Sequence, residues 1–365
     1  MEYSIIYVGA GIASLYSAYT HLKHNPTANI LILEKTNHIG GRVSWTMFKD
    51  IEVVKGAGVG RYKKDKLLLN LLIELEIPYT IHKSNLGNLN IKHTLLKLKE
   101  NKPKTIESFK DFAIRILGIE TYTKFKINTG FTDYEKMDAK IAIEHYGFED
   151  TYGIQEHFFF SWHKLIDLLK EKLNIKLYQE VMEVHPNQVK TNTNIYTTKH
   201  VVVGTTITSL QKFFPTNTHY KNISSQPFIR IYAKLNKPLP INKYTVVDTP
   251  LQKIIPIQPQ HNIYMISYSD NDNALILKDA DKSQLEKYIH VIFANTTIKI
   301  KTYRKFFIKA GTHYYKPGTN INNIHKLQYP IPTANIHVIG EVVAINQGWV
   351  NSALKTTEFF NFLCF

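Results

Sequence analysis

Residues 5–14 of the chain, Ile-Ile-Tyr-Val-Gly-Ala-Gly-Ile-Ala-Ser, have the pattern of a strand followed by a tight turn and a helix. The apolar run at 3–8 predicts a buried parallel strand. Gly9 permits the tight turn, and Gly11 allows the backbone to approach a pyrophosphate. A helix that starts near Ile12 directs its positive N-terminal end at the phosphates. The stretch therefore predicts a βα turn that binds a dinucleotide.

A second strand and an acidic residue follow the turn at the sequence distance that is usual in dinucleotide-binding folds. The apolar run Ile30–Leu33 predicts another strand, and Glu34 comes directly after it, where a carboxylate can accept hydrogen bonds from an adenosine ribose. Ser14 stands where a third glycine is usual, and its small side chain still permits close packing of the helix on the strand. Because strand, turn, helix and carboxylate occur together, we expect a dinucleotide-binding fold.

Length and composition limit the number of domains, the membrane spans and the cellular compartment that can be expected. A chain of 365 residues with 44% hydrophobic content can form two domains. The predicted fold starts at residue 3, which leaves no room for a signal or transit segment, and no apolar run approaches the roughly 18 to 20 residues that span a bilayer. The single cysteine, Cys364, excludes an internal disulfide and fits a reducing compartment. We therefore expect a cytoplasmic protein without a membrane span.

The formal net charge of +15 raises the question of nucleic-acid binding. The basic residues are scattered, however, and 40 of them are lysine against 5 arginine, which is typical of codon bias in an AT-rich genome such as that of some viruses and parasites. We therefore expect no specific binding of nucleic acid. The rarity of arginine suggests that each arginine is kept for its planar guanidinium rather than for charge alone.

The pattern along the chain predicts an α/β fold whose nucleotide domain is discontinuous. Helical spacing predicts helices over 66–75 and 161–173 and a closing helix over 352–363. Strands are predicted over 175–184, 189–196, 201–203 and 336–339, so that the start, middle and end of the chain form one sheet. The predicted domains are a Rossmann-like nucleotide-binding domain of residues 1–80, 155–215 and 326–365, and an α+β substrate-binding domain of residues 81–154 and 216–325 with a mixed sheet plus helices.

With the turn Gly40-Gly41-Arg42 added, the chain resembles the flavin-containing amine oxidase family, which includes monoamine, polyamine and L-amino-acid oxidases. The resemblance covers nearly the whole chain as an ordered series of short matches. They are Gly9-Ala-Gly11 through Glu34, Gly40-Gly41-Arg42, the glycine-rich run at 55–61, Glu180-Val181, Val-Val-Val-Gly-Thr at 201–205, Val-Ile-Gly-Glu at 338–341 and Gln-Gly-Trp-Val-Asn-Ser-Ala-Leu at 347–354.

The resemblance implies FAD as the cofactor and assigns residues to its parts. Because no cysteine occurs in the segment at 311–318, where monoamine oxidases attach the flavin, FAD is expected to be non-covalent. A helix that starts near Val350 would stabilise the negative charge of a reduced flavin. The implied cofactor residues are Gly9, Gly11, Ser14 and Glu34 at the ADP half, Val181 at adenine, Gly41 and Arg42 at the diphosphate and ribityl chain, Gly340 and Glu341 at the ribityl hydroxyls, and Gly58, Val59, Trp349 and Val350 at the isoalloxazine.

Four residues are candidates for the chemistry beside the flavin. Arg230 stands where monoamine and polyamine oxidases have a lysine, and it could hold a water or an anionic substrate. Trp349 matches one ring of the family's aromatic cage, and Tyr315 is chosen for the other ring, with His313 and Tyr314 as alternatives.

Arg61 is the fourth candidate. It matches an arginine that pairs with the substrate carboxylate in L-amino-acid oxidases, or it forms a structural salt bridge.

The resemblance implies an FAD-dependent amine oxidase that acts on a small-molecule amine and O2. Hydride would pass from the α-carbon of the amine to flavin N5, and O2 would reoxidise the flavin to give H2O2. An amino acid is the first expectation for the substrate and a polyamine the second. The alternatives are a flavoprotein of the same fold without turnover, or another FAD oxidoreductase such as a desaturase. The sequence predicts no metal site.

Overall fold

The computed structural model describes residues 2–86, 89–331, 334–358 and 360 of the chain. Its strands are β1 (Glu2–Val8), β2 (Ile30–Leu33), β3 (Trp45–Phe48), β4 (Ile51–Val54), β5 (Gly60–Arg61), β6 (Tyr79–Asn85), β7 (Ile154–Phe160), β8 (Ile175–Lys176), β9 (Val181–His185), β10 (Gln188–Thr191), β11 (Ile195–Val203), β12 (Ile223–Leu235), β13 (Thr245–Val246), β14 (Lys253–Gln258), β15 (Ile263–Asp270), β16 (Ile300–Tyr315) and β17 (Ile336–Val338).

The helices are distributed between these strands. They are α1 (Ile12–His24), α2 (Lys66–Glu74), α3 (Leu89–Lys99), α4 (Phe109–Leu117), α5 (Ile119–Thr129), α6 (Ala139–His145), α7 (Trp162–Glu171), α8 (Ile207–Phe213), α9 (Thr218–Lys221), α10 (Asn271–Asp279), α11 (Lys282–Phe293), α12 (Ile324–Gln328) and α13 (Val350–Lys355).

A seven-stranded sheet forms the centre of the Rossmann-like part. Its order is β8-β2-β1-β11-β10-β9, with β17 beside β11, and the pairs of β1 with β2 and β11 are parallel. Ile5 and Tyr7 of β1 face the core that contains α1, α2, α7 and α13, whereas Ile6 and Val8 face the core that contains α3 to α6. Because both faces are covered, β1 is apolar at successive positions. The α/β fold class is confirmed, while the predicted domain boundaries stay a prediction.

A five-stranded sheet of order β13-β14-β15-β12-β16 forms the second layer. Ile229 and Ile231 of β12 pack under α10 and α11. The alternate residue Tyr232 faces the other side and donates a hydrogen bond from its hydroxyl to the carbonyl of Val54 at 2.7 Å. Side chains alternate across a strand, so this second face is turned toward the Rossmann-like part. Arg230 lies on that face.

Some local predictions are confirmed and others are wrong. Helices α2 and α7 are confirmed, and the Ser161 hydroxyl caps α7 by accepting from the Lys164 amide at 3.2 Å. The strand predicted over 175–184 is interrupted, because Tyr178 adopts φ +58° between β8 and β9. The strand predicted over 189–196 is divided by a turn in which the Thr191 amide donates to the carbonyl of Asn194 at 2.8 Å. Asparagine favours such turns.

The closing helix also differs from the prediction. It is α13, which starts at Val350 and ends at Lys355 rather than running over 352–363. Residues 361–363 and Cys364 lie outside the described residues. Among the residues that the structure does describe, no helix is both long enough and apolar enough to cross a bilayer.

Three histidines lie together beneath the Rossmann-like sheet. The rings of His200 on β11 and His337 on β17 are 6.1 Å apart, and His21 of α1 interacts electrostatically with His200. Burial, and to a smaller extent the positive charge that His200 acquires on protonation, lower the pKa of His337 to about 4. Burial also lowers the pKa of His21 and of His200. The folded state therefore prefers all three rings to be neutral.

We expect this cluster to destabilise the fold in acid. An unfolded histidine binds its proton near pH 6.5, whereas folded His337 binds it only near pH 4, so stability falls as the pH drops through this window. His337 alone should remove about 2 kcal/mol of unfolding free energy between pH 7.5 and pH 5. Urea unfolding at several pH values measures the loss. His337→Gln should reduce it by that amount, and a variant of the exposed His93, His93→Gln, should leave the pH profile unchanged. Equal profiles for all three proteins would contradict the prediction.

Candidate dinucleotide and active site

The predicted βα turn closes tightly against the neighbouring strand. Gly9 has φ +93°, and a Cβ atom there would lie 2.6 Å from the carbonyl oxygen of Gly204, which is closer than a side chain tolerates. Helix α1 begins after Gly11, and within the described residues neither a capping side chain nor an acidic residue occupies its first turn. The amide groups at this helix end can therefore donate to the phosphates of a dinucleotide.

The Gly40-Gly41 turn lies directly on the first glycine turn. The Gly40 amide donates to the carbonyl of Ala10 at 2.8 Å, and a Cβ on Gly41 would lie 3.2 Å from Gly11 Cα. Both Gly40 and Gly41 have positive φ, which glycine adopts without strain. The two glycine motifs, about thirty residues apart in sequence, therefore form one continuous backbone surface.

Glu34 lies at the carboxyl end of β2, beside this surface. Its Oε2 accepts from the Ala10 amide at 3.0 Å, and its Oε1 accepts from the amide and hydroxyl of Thr36 at 3.0 and 2.8 Å. A carboxylate has about four acceptor positions, so Glu34 retains capacity for a further donor such as a ribose hydroxyl. The Thr36 contribution was not predicted, although a threonine two residues after an acidic residue is a common local hydrogen-bond partner.

Ser14 and Val181 have packing roles. Ser14 is fully buried, and its Oγ would lie 2.2 Å from a Cβ on Gly204, so Ser14 packs at the contact between α1 and β11. The side chain of Val181, at the start of β9, is buried in the core on the other face of the sheet. Only the backbone of Val181 could therefore contact adenine.

Glu341 is the centre of a buried hydrogen-bond network. Its Oε1 accepts from the amides of His313 and Gly348, both at 2.9 Å. Its Oε2 accepts from Arg42 Nη1 at 2.8 Å and from His313 Nδ1 at 2.5 Å. The Ile207 amide donates to His313 Nε2 at 3.2 Å, which makes Nε2 an acceptor and leaves the ring proton on Nδ1.

The network changes the role expected for Glu341. Burial raises its pKa, but the positive charge of Arg42 and the hydrogen bonds that His313 donates outweigh that effect and hold the pKa of the Glu341 carboxyl well below its usual range. These four hydrogen bonds use most of the acceptor capacity of the carboxylate, and its contact with ribityl hydroxyls stays a prediction. The structure makes Glu341 a residue that positions Arg42 and the backbone at Gly348.

The segment that contains Gly340, Trp349 and Val350 is fixed on both sides. Gly340 has φ +105°, and its amide donates to the Thr356 hydroxyl at 2.7 Å. Helix α13 begins at Val350, and Asn351 Oδ1 accepts from the amides of Leu67 and Leu68 at the start of α2 at 3.0 and 3.3 Å. Trp349 is half-buried at the point where α13 begins.

Arg61 is held by two carboxylates. Its Nη2 and Nε donate to Asp65 Oδ1 at 2.6 and 3.0 Å, and its Nη1 donates to Asp150 Oδ2 at 2.9 Å. The side chains of Asp65 and Asp150 are 1% and 8% exposed. The guanidinium also lies 3.8 Å from the ring centroid of Trp349. This geometry favours the structural salt bridge over the substrate carboxylate as the partner of Arg61.

Gly58 and Arg230 lie against each other. A Cβ on Gly58 would lie 3.2 Å from Arg230 Nη2, and the Gly58 carbonyl accepts from the indole of Trp162 at 3.3 Å. Val59 is half-buried next to Gly58. Arg230 is 6% exposed, and its guanidinium lies over the ring of Tyr268, 4.2 Å from the centroid. Tyr268 was not predicted as a site residue, because its contact with Arg230 depends on the register of β12 and β15.

Tyr315, expected as the second ring of the aromatic cage, lies in the core of the protein rather than at the surface of the site. Tyr315 is fully buried in the core and donates from its hydroxyl to the carbonyl of Ala344 at 3.0 Å. His313, two residues earlier on the same face of β16, is bound to Glu341. Neither ring is free to contact a ligand in this arrangement, which leaves half-buried Tyr314 as the remaining alternative that the sequence suggested.

Two cavities lie apart from these residues. One of about 290 Å³ is lined by residues of α3 and α5, including Asn90 and Lys124, and one of about 250 Å³ is lined by residues that include Gly130 and Gln252. Neither is lined by the glycine turns, Glu34 or Trp349. Among the described residues no group of three or more His, Cys, Asp and Glu side chains is arranged to hold a metal ion.

Comparisons with known proteins agree with this geometry. The family model of the NAD(P)-binding Rossmann-like domain matches residues 8–59, which include both glycine turns and Glu34. No curated protein sequence matches the chain. A structure of putrescine oxidase bound to putrescine is similar with a TM-score of 0.78 at 12% identity, covering 100% of this chain and 99% of that one.

A second solved structure has the same architecture. A protein named as a protoporphyrinogen oxidase, from Exiguobacterium sp. 255-15, gives a TM-score of 0.72 at 11% identity and covers 100% of this chain and 99% of its own. At such low identity these likenesses show the fold. The resemblance to flavin-containing amine oxidases that the motifs predicted is thus confirmed at the level of the fold over the whole chain.

Proposed function

We propose that the protein is an FAD-dependent oxidoreductase that oxidises a small-molecule amine. The observation that supports this most is the meeting of four separated segments: the two glycine turns with Glu34, the Gly58 segment, Arg230 on β12 and Trp349 before α13. The backbone at Gly9 and Gly41 has almost no room for side chains, and this surface, which Gly11 continues, fits a diphosphate. Glu34 keeps capacity for a ribose hydroxyl. These features fit FAD, which we propose to be bound non-covalently.

The residues of the chain would bind and orient the reactants. When bound, FAD would supply the acceptor for a hydride from the amine and would pass the two electrons on to O2. Gly58 and Val59 provide the backbone beside the ring system, and Trp349 provides an aromatic wall for the substrate. Arg42, fixed by Glu341, supplies a positive charge near the diphosphate and ribityl chain. Arg230 cannot act as a general base, because a guanidinium does not release its proton in a protein. Its role is therefore to bind and orient.

The second candidate function is a flavoprotein of this fold without amine turnover. The contact of Arg61 with Trp349 supports it, because the guanidinium covers one face of the ring that would contact an amine. The same contact is compatible with turnover if the substrate uses the opposite face. Peroxide production decides between the two functions, and the fold alone does not.

The purified protein is expected to be yellow and to release intact FAD in acid. The absorption spectrum of the native protein, followed by mass spectrometry of the supernatant after acid precipitation, measures both properties. Colour that remains with the precipitated polypeptide would contradict non-covalent binding, and a colourless protein that does not take up added FAD would contradict the proposal.

Turnover is tested on the flavin-loaded protein with a panel of amines. The panel contains amino acids, their amides, simple alkylamines and polyamines, and the readouts are peroxide release and loss of flavin absorbance in the absence of O2. Anaerobic bleaching by any amine supports the oxidase, and bound FAD without bleaching by any of them supports the flavoprotein without turnover.

A further inference from the structure

We propose that Arg230 binds an acidic group of the substrate, so that the substrate is an amine that also carries a carboxylate. The inference rests on the proposed function and names the substrate class of that site. It places carboxylate recognition at Arg230 rather than at Arg61, for which the resemblance left a substrate carboxylate and a structural salt bridge as alternatives.

The five arginines of the chain differ in their partners. Arg42, Arg61 and Arg115 pair with carboxylates, which are Glu341, Asp65 with Asp150, and Glu107. Arg304 is exposed and donates to the carbonyl of Met47. Arg230 is buried, and no carboxylate among the described residues forms an ion pair with it. Its Nε has no hydrogen-bond partner within that same part of the chain.

The nearest other charges do not compensate Arg230. Lys253 of β14 is fully buried, donates to the carbonyl of Gly130 at 2.5 Å and lies 4.2 Å from the Tyr268 centroid. Asp270 and Asp133 interact electrostatically with Lys253. Burial and the charge of Asp270 together raise the pKa of Asp133 to about 7. Asp270 accepts hydrogen bonds from Thr132, and Asp133 accepts one from the Tyr146 hydroxyl. Neither carboxyl forms an ion pair with Arg230, so the guanidinium has no directly paired opposite charge among the described residues.

A buried guanidinium without a counter-charge is unfavourable for the free protein. Its neighbours are the side chains of Tyr232 and Tyr268, both of which interact with the guanidinium, and Gly58. Because Gly58 has no side chain, Nη1 and Nη2 lie next to its backbone. A ligand carboxylate placed there would satisfy both the charge and the planar donor geometry of arginine. Because Gly58 belongs to the segment assigned to the isoalloxazine, an amine held by its carboxylate at Arg230 would have a fixed orientation beside the flavin.

Binding of the substrate carboxylate at Arg61 instead would require that an existing ion pair of Arg61 be broken. A substrate carboxylate would have to replace Asp65, which would then be buried without its partner, or Asp150, which would then keep only Lys64. At Arg230 a carboxylate adds a missing partner and displaces none of the ion pairs that the structure describes. The balance of charges therefore favours Arg230 over Arg61 as the residue that binds the substrate carboxylate.

The test uses ligands that bind but cannot be oxidised. 2-Aminoisobutyrate has no α-hydrogen, and its amide differs only in lacking the negative charge; benzoate and benzamide form a second, larger pair. Affinities are measured on the flavin-loaded protein by isothermal titration calorimetry and by the change in the visible flavin spectrum. Wild-type protein is expected to bind at least one carboxylate at least about tenfold more tightly than its amide.

The variants separate binding from a structural role. Arg230→Gln should abolish the preference for the carboxylate, and Arg230→Lys should retain part of it because charge remains while the planar fork is lost. Arg304→Gln, an arginine of the adjacent strand, should leave the preference unchanged. Arg230→Gln should also unfold at the same or a higher temperature than wild type, since a residue that stabilises the fold through an ion pair would show the opposite shift.

Three results bear on the inference alone. Equal affinity for acid and amide in both ligand pairs would overturn it, as would a carboxylate preference that survives in Arg230→Gln. Faster oxidation of simple amines than of amino acids would also overturn it and leave the amine oxidase intact. A protein that binds no FAD would instead overturn the proposed function, and that result is obtained before any ligand is added.

Discussion

Glu341→Gln is expected to lower the free energy of unfolding by about 3 to 5 kcal/mol, which is the usual cost of removing one partner from a buried ion pair. The wild-type carboxylate accepts four hydrogen bonds from Arg42, His313 and the Gly348 amide. Glutamine keeps the shape but places an NH2 group where two or more of these donors point. Arg42 would then lose its carboxylate, and the His313 Nδ1 proton or a backbone amide would lose its acceptor. Urea unfolding followed by tryptophan fluorescence measures the change.

A matched control is available on the surface. Glu183, about half exposed, pairs with Lys190 and His185. Exposed pairs contribute about 0 to 1 kcal/mol, so Glu183→Gln should change stability little. Similar losses for Glu183→Gln and Glu341→Gln would contradict the central position of Glu341. We also expect Glu341→Gln to retain less FAD after dialysis, because Arg42 and the segment at Gly348 would no longer be held in place.

The sequence was sufficient to predict the backbone of the nucleotide turn. β1 and β11 approach closely at Gly9 and Gly204 and leave almost no space for a side chain at residue 9. The glycine in the sequence therefore indicates this steric constraint directly. The same is true of Glu34, whose position follows from the length of β2 and the turn before it. Local constraints of this kind determine which residue types can occur at a position, so they can be predicted from the sequence.

Partners distant in sequence were not predictable in the same way. Arg61 and Asp65 are four residues apart, but Asp150 is 89 residues from Arg61, and the pair forms only because β5 and β7 are neighbours. A motif match identified Arg61 as a site residue without showing that its donors are already used. The state of Arg230 depends in the same way on which charges the other strands bring near it.

Tyr315 shows how a strand register limits prediction. β16 has sixteen residues, and its pairing with β12 contains irregularities between Gln226 and Phe228 and again near Leu235. Each irregularity of this kind can move later side chains to the opposite face of the sheet. The sequence placed an aromatic residue at 313, 314 or 315 beside the flavin, but only the register shows that His313 and Tyr315 point into the protein.

Arg61→Gln is expected to destabilise the protein by about 3 to 5 kcal/mol, because buried Asp65 would lose its cation and Asp150 would keep only Lys64. The loss should be present whether or not FAD or an amine is added. Lys190→Gln is the control, because Lys190 and its partner Glu183 are both about half exposed, and its removal should cost clearly less. Thermal and urea unfolding of the three proteins measure these differences.

A double-mutant cycle with Asp150→Asn identifies the partner of Arg61. If the two side chains stabilise each other, the double variant should be more stable than the sum of the single losses predicts, by about 0.5 to 3 kcal/mol. The same variants should lose activity on amino acids and on simple amines to a similar extent, since the effect passes through the fold and through Trp349. A selective loss of kcat/KM for amino acids, with stability unchanged, would return carboxylate recognition to Arg61. That outcome would also remove the reason for assigning the substrate carboxylate to Arg230, so the two arginines can be tested against each other in one series of variants.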